Sequence, residues 1–175
     1  MKVVESKYMY KGKILNLRVD KIQLPDHEEV TREVVEFIGA CAVVPVLDDT
    51  IIFVKQYRHP AGKKLLEIPA GKLEPGENIE DTAERELKEE IGYRALDLHK
   101  IGEFYLTPGY STEKIHIFIA QNLIPESLPR DKGEDIEVVK LPQVRVYRML
   151  KRGEFEDAKT IIGLFYFFNK FTSGL

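Results

Sequence analysis

Apolar and polar positions along this chain follow two different periods. Ile14 to Leu24 alternates apolar and polar residues, PDHEE interrupts the pattern, and Val30 to Phe37 alternates again, which predicts an N-terminal hairpin or small sheet. Gly39 to Leu47 and Ile51 to Tyr57 are apolar, β-branched runs joined at Asp48-Asp49, the pattern of paired core strands. Leu96 to Tyr105 and Lys114 to Asn122 read as further strands flanking a Pro108-Gly109 loop. Between these strands the period lengthens: Ile79, Ala83, Leu87 and Ile91 recur every four positions, one stripe of a helix whose residues turn about 100° each. Val144 to Lys151 and Ala158 to Phe171 read as two more helices, separated at Gly153. The last carries Ile161, Ile162, Leu164, Phe165, Phe167 and Phe168 with few basic residues, which favours packing on a sheet over lying on a membrane.

The helix over 79–91 is also where acids gather. Glu86, Glu89 and Glu90 fall within an arc of roughly 100° at the edge of the apolar stripe. Like charges so placed repel by a few tenths of a kcal/mol per pair, and a hard divalent cation would relieve that repulsion. Arg85, four residues before Glu89, is placed to hold a carboxylate. Gly71, Pro75 and Gly76 just upstream impose turns and close backbone approach.

The stretch GKLEPGENIEDTAERELKEEIGY, Gly71 to Tyr93, resembles the Nudix box, with its fixed positions at Gly71, Glu77, Arg85, Glu86, Leu87, Glu89, Glu90 and Gly92. Tyr93 alone departs, standing at a packing position where that family has an aliphatic residue. VKQYRHP (54–60), EIPAGKLE (67–74), Pro108 in FYLTPGYSTEK, and FEDAKTIIGLF (155–165) resemble the ADP-ribose and nucleotide-sugar pyrophosphatase branch. The resemblance implies an α+β fold, an α/β/α sandwich with a mixed sheet between helices and the box as a loop-helix-loop. Residues 1–38 would form an antiparallel β extension and 39–175 the hydrolase domain.

The same resemblance implies hydrolysis of ADP-ribose, or of another nucleotide sugar or dinucleotide, assisted by two or more Mg2+ ions, with Mn2+ able to substitute. It assigns metal ligation to Glu86 and Glu90, with Glu89 and the backbone carbonyl of Ala70 beside them, and to Arg85 the orienting of the glutamates. Glu77 looks structural. Arg58 and Arg32 resemble arginines that contact the diphosphate, and Glu113 contacts the substrate or the loop that closes over it. Tyr8, Tyr10 and Phe37 are all available to stack on adenine. The general base in this branch comes from a loop after the box; in PRDKGEDIEVV (129–139) Glu134 is the candidate, with Asp135 and Glu137 as alternatives. The resemblance further implies a homodimer whose N-terminal strands cross, so that Arg32 acts in its partner's pocket. A binding-only sensor is disfavoured by the complete set of glutamates.

Composition adds limits rather than direction. A chain of 175 residues with 43% hydrophobic content can bury one sizeable core. A formal net charge of −3 provides no broad basic field for nucleic acid, so an anionic substrate must be met by local arginines and metal. The single cysteine, Cys41, lies in an apolar strand-like run and has no partner for an internal disulfide. His27, His59, His99 and His116 lack ligand spacing. With no stretch apolar enough to span a membrane, the cytoplasm is the expected location.

Overall fold

A computed structural model describes residues 1–129 and 135–170. They form two compact units, Met1–Gly39 with Phe104–Ile115, and Ala40–Glu103 with the described residues from His116 onward.

In the first unit, β1 (Lys2–Lys11), β2 (Asn16–Gln23) and β3 (Glu29–Glu36) form an antiparallel sheet in that order. The expected turn at PDHEE holds His27 at φ 69°. Strand β1 is exposed along its whole length, so it carries no buried alternation to announce it, and the sequence pattern predicted only β2 and β3. Buried Asp20 accepts a hydrogen bond from Ser6 Oγ at 2.7 Å and is paired with Arg18. The segment after residue 104 joins this unit through Val35, whose N–H donates to Tyr110 O at 2.7 Å and whose carbonyl accepts from Thr112 N at 3.0 Å.

The second unit is built on a mixed sheet. Its strands are β4 (Ala40–Leu47), β5 (Thr50–Arg58), β6 (Lys63–Glu67), β7 (Ala70–Lys72), β8 (Tyr93–Tyr105), β9 (Lys114–Pro125) and β10 (Ile136–Pro142). The order is β10-β5-β4-β9-β8, with β6 beside β5 and β7 beside β4. Pairing explains how the short strands fit: β4 spends its first residues on β7, Cys41 opposite Gly71, and its last on β5. Side chains alternate between faces, and the two faces meet different helices. Cys41 and Val43 share a buried cluster with Ala83, Leu87 and Ile91 of the acidic helix. Val44, the next residue along, faces α3 (Ala158–Lys170) on the other side, where a methyl group on Gly163 would lie 2.8 Å from Val44 Cγ2. Helices therefore cover both faces of the sheet, as the α/β/α expectation requires. Helix α2 (Gln143–Lys151) packs near β10 and α3, with Tyr147 edge-on to Phe168 at 5.2 Å between ring centroids.

The predicted helix over 79–91 needs one correction. It is α-helical only over α1 (Ile79–Glu86); Leu87–Ile91 is a single π-helical turn, closed by the Gly92 N–H on Leu87 O with Gly92 at φ 77°. An apolar residue every fourth position satisfies either winding, so the spacing did not separate them. Asn78 caps the start, its side chain accepting from Asp81 N at 2.8 Å.

Candidate active site

The change in winding falls at the glutamates. Glu86 is the last α-helical residue, while Glu89 and Glu90 lie in the π-turn, the kind of local widening often found at functional sites. Glu86 and Glu90 are buried, at 8% and 3% exposure, and Glu89 is half-buried. Buried carboxylates need strong partners.

Arg85 is the main one. Its Nη1 donates to Glu86 Oε1 at 2.7 Å and to Glu89 Oε2 at 2.9 Å, its Nε to Glu77 Oε1 at 3.0 Å, and its Nη2 to Glu77 Oε2 at 3.2 Å and Lys72 O at 3.1 Å. Burial alone would lower the pKa of Arg85; the surrounding carboxylates reverse this and raise it. Glu77 is held below the ordinary glutamate value, first by the Arg85 hydrogen bond and then by Thr82 Oγ1 at 2.7 Å. Glu77 thus ties the loop before α1 to the arginine that grips the other acids.

The strand segment 67–71 supplies the opposite wall. Ala70 donates its N–H to Glu90 Oε2 at 3.0 Å. A methyl group at Gly71 would lie 1.7 Å from Glu86 Oε1, so the missing Cβ is the space that Glu86 occupies. This is the close approach expected of Gly71; the turn belongs to Gly76, at φ 86°. Among the described residues, no three His, Cys, Asp or Glu side chains converge as a ready-made metal site. The hard oxygen donors of Glu86, Glu89 and Glu90 are nevertheless chemically suited to a hard divalent cation.

At the end of β5, Arg58 meets Glu67 in a bidentate pair, Nε to Oε1 at 2.7 Å and Nη2 to Oε2 at 2.8 Å. Glu67 is 1% exposed and also accepts from Lys159 Nζ, which reaches Asp157 Oδ1 at 3.0 Å. Burial pushes the Glu67 pKa up, but Arg58 and Lys159 together bring it below the ordinary value. Asp157 caps α3 by accepting from Thr160 N at 3.0 Å, and the Thr160 hydroxyl accepts from Ile68 N at 2.9 Å. Sequence reasoning quoted these segments without assigning Glu67, Asp157, Lys159 or Thr160. The available signal was a lone acid in an otherwise apolar LLEIPAG run.

The remaining candidates lie on other elements of the chain. In the first unit, Arg32 is exposed on β3 with Nη1 on Thr31 O at 2.9 Å. Half-buried Phe37 donates its N–H to Thr112 Oγ1 at 3.0 Å, and half-buried Glu113 donates its own to Ser111 Oγ at 3.1 Å. Tyr8 and Tyr10 are exposed on β1. Glu134 lies outside the described residues. Of its alternatives, Asp135 accepts from Lys64 Nζ at 3.3 Å and Glu137 is exposed on β10 opposite Lys55. Tyr93, the departure from the box pattern, packs against the core while its hydroxyl accepts from Lys140 Nζ at 2.9 Å.

Comparison with known proteins decides the family. The NUDIX domain matches residues 37–163. This chain belongs to the NUDIX family. The N-terminal domain of nucleoside diphosphate sugar hydrolases matches residues 1–35. The chain is 40% identical to the ADP-ribose pyrophosphatase of Bacillus subtilis (strain 168) over 94% of its length and 91% of that protein. It is 34% identical, with the same coverage, to the methanol dehydrogenase activator of Bacillus methanolicus. A crystal structure of an ADP compounds hydrolase superposes with a TM-score of 0.85 at 26% identity, covering 94% of this chain and 90% of that one. The Nudix fold expected from the sequence is therefore the fold observed, and the chain is a Nudix hydrolase.

Proposed function

We propose that this Nudix hydrolase is a divalent-metal-dependent ADP-ribose diphosphatase, cleaving ADP-ribose to AMP and ribose 5-phosphate. The observation that carries the reading is that Arg85 holds Glu86 and Glu89 and the Ala70 N–H holds Glu90, at the junction of α1 and its π-turn, beside a strand that leaves out a Cβ at Gly71 to admit Glu86. Similarity to the Bacillus subtilis ADP-ribose pyrophosphatase over nearly the whole chain supports the choice of substrate.

Glu86, Glu89, Glu90 and the carbonyl of Ala70 are the residues to hold Mg2+, or Mn2+ in its place, with two or more ions per site. Bound there, the metal would neutralise charge on the pyrophosphate and make water more acidic. Arg85 fixes the carboxylates through its donated hydrogen bonds. Arg58 binds a phosphate oxygen with the part of its guanidinium that Glu67 leaves over. Glu134 takes the proton from the attacking water. Arg32 contacts the diphosphate with Arg58, Phe37 is available to stack on adenine, and Glu113 contacts the substrate or the loop that closes over it, in a cytoplasmic homodimer whose residues 1–38 cross between subunits.

The test is a substrate panel with magnesium, comparing kcat/KM for ADP-ribose, ADP-glucose, GDP-mannose, NADH and diadenosine polyphosphates. ADP-ribose should lead. A different leader moves the assignment within the nucleotide-sugar and dinucleotide hydrolases, and inactivity on every member defeats it.

A further inference from the structure

We infer that Glu67 is a positioning residue for substrate, acting through Arg58; the inference rests on the diphosphatase reading above. Three observations carry it. Glu67 is fully buried and ionised, yet it does not belong to the helix that bears the acidic cluster. Its two oxygens engage Nε and Nη2 of Arg58 as a fork, which fixes the plane of the guanidinium. Nη1 is then the nitrogen that makes no hydrogen bond among the described residues, and the Arg58 side chain remains 38% exposed.

An arginine on a strand end is ordinarily a swinging cation, and ordering it costs rotamer entropy at the moment of binding. Here that ordering is completed on folding. Lys159 supplies a second positive partner to Glu67, and Asp157 anchors Lys159 at the start of α3, so the carboxylate is held from two sides. Burial favours this arrangement over a surface pair, because Glu67 has no water to exchange its partners for. The charge of Glu90 also acts on Arg58, which places the guanidinium in the electrostatic range of the acidic cluster. Glu67 thus leaves one pre-aimed guanidinium nitrogen for a phosphate oxygen.

A double-mutant cycle on ADP-ribose hydrolysis with magnesium tests this, using Glu67→Gln, Arg58→Ala and the pair, with thermal melts to show that each is folded. Glutamine keeps the size but offers one acceptor to a fork that needs two. Glu67→Gln should raise KM about tenfold with kcat changed less than about threefold. In the Arg58→Ala background the same change should add less than about twofold, since a residue acting through Arg58 has nothing left to position. The cycle is repeated with Arg58→Lys, which keeps a cation beside Glu67 but lacks the fork. If Glu67→Gln does not fold, Glu67→Asp retains the charge and misplaces it, with the same expectation. A parent protein inactive on ADP-ribose overturns the functional reading and the inference together. An active parent in which the two effects add in full overturns the inference alone, leaving Glu67 a scaffold residue.

Discussion

Gly71→Ala isolates the contact on which the acidic cluster depends. The added methyl would sit 1.7 Å from Glu86 Oε1 and 2.0 Å from Cδ, whereas ordinary contact begins near 3.4 Å. Glu86 must therefore retreat by about 1.7 Å, more than the slack in its 2.7 Å hydrogen bond from Arg85 Nη1. Gly71 has no left-handed backbone, so alanine adds no conformational strain, and the obstructed atoms are the far end of a flexible side chain. The fold should lose only about 1 kcal/mol, at the mild end of overpacking, or roughly 2–4 °C in Tm. Function should lose far more, because a misplacement of about 1 Å in a positioned group can lower turnover ~100-fold. Steady-state kinetics on ADP-ribose beside a thermal melt separates the two effects. A variant with kcat/KM within about twofold of the parent would refute the idea that Glu86 is held in place by the absent Cβ.

Other expectations follow from single contacts. Glu90→Gln can still accept the Ala70 N–H, so its melt should stay near the parent while kcat falls ~100-fold or more; near-parental turnover with magnesium would remove Glu90 from the ligand set. Glu134→Gln should lower kcat with KM little changed, and an unaltered kcat moves the base to Asp135 or Glu137. Glu77 is held below the ordinary glutamate value of 4.5, so its contribution to stability is complete above that pH and is lost as pH falls through the lower folded value. Glu77→Gln should therefore melt below the parent at pH 7, with the gap closing as the pH drops below 4.5; a constant gap would show that the charge contributes nothing. Burial pushes the Cys41 thiol up to about 12, leaving a thiolate fraction of ~0.0001 at pH 8, so a thiol reagent should label the protein in urea but not when native.

What the sequence disclosed depended on whether a residue's partners lie near it in the chain. The acidic turn, its arginine and the preceding glycines fall within one short stretch, so that the spacing suggested a cation and the resemblance of the whole stretch to the Nudix box carried the assignment. The core strands showed themselves because both faces of β4 are buried and its run is almost wholly apolar. Strand β1 was hidden because no face of it is buried. Strands β6 and β7 were hidden because they are short, carry charge or glycine, and are separated by Pro69. The Arg58–Glu67–Lys159 group escaped for a different reason. Lys159 lies 92 residues from Glu67, and only the packing of α3 beside the end of β6 makes them neighbours. No period records such a pairing.

The segment Glu67 to Gly71 shows why fold and site cannot be varied independently here. Each residue contributes through a different atom: Glu67 by its carboxylate to Arg58, Ile68 by its N–H to Thr160, Pro69 by its carbonyl to the N–H of Val43 at 2.9 Å, Ala70 by its N–H to Glu90, and Gly71 by the space it leaves for Glu86. Proline is tolerated at 69 because the strand uses its carbonyl, and it would fail at 68 or 70, where the N–H is used. Strand geometry repeats every two residues, so a slip of one position would exchange the faces and replace all five contacts at once. The pairing of Cys41 with Gly71 and Ala42 with Ala70 resists such a slip, and so the register of a three-residue strand fixes the acidic cluster, the arginine and the helix that closes the far face.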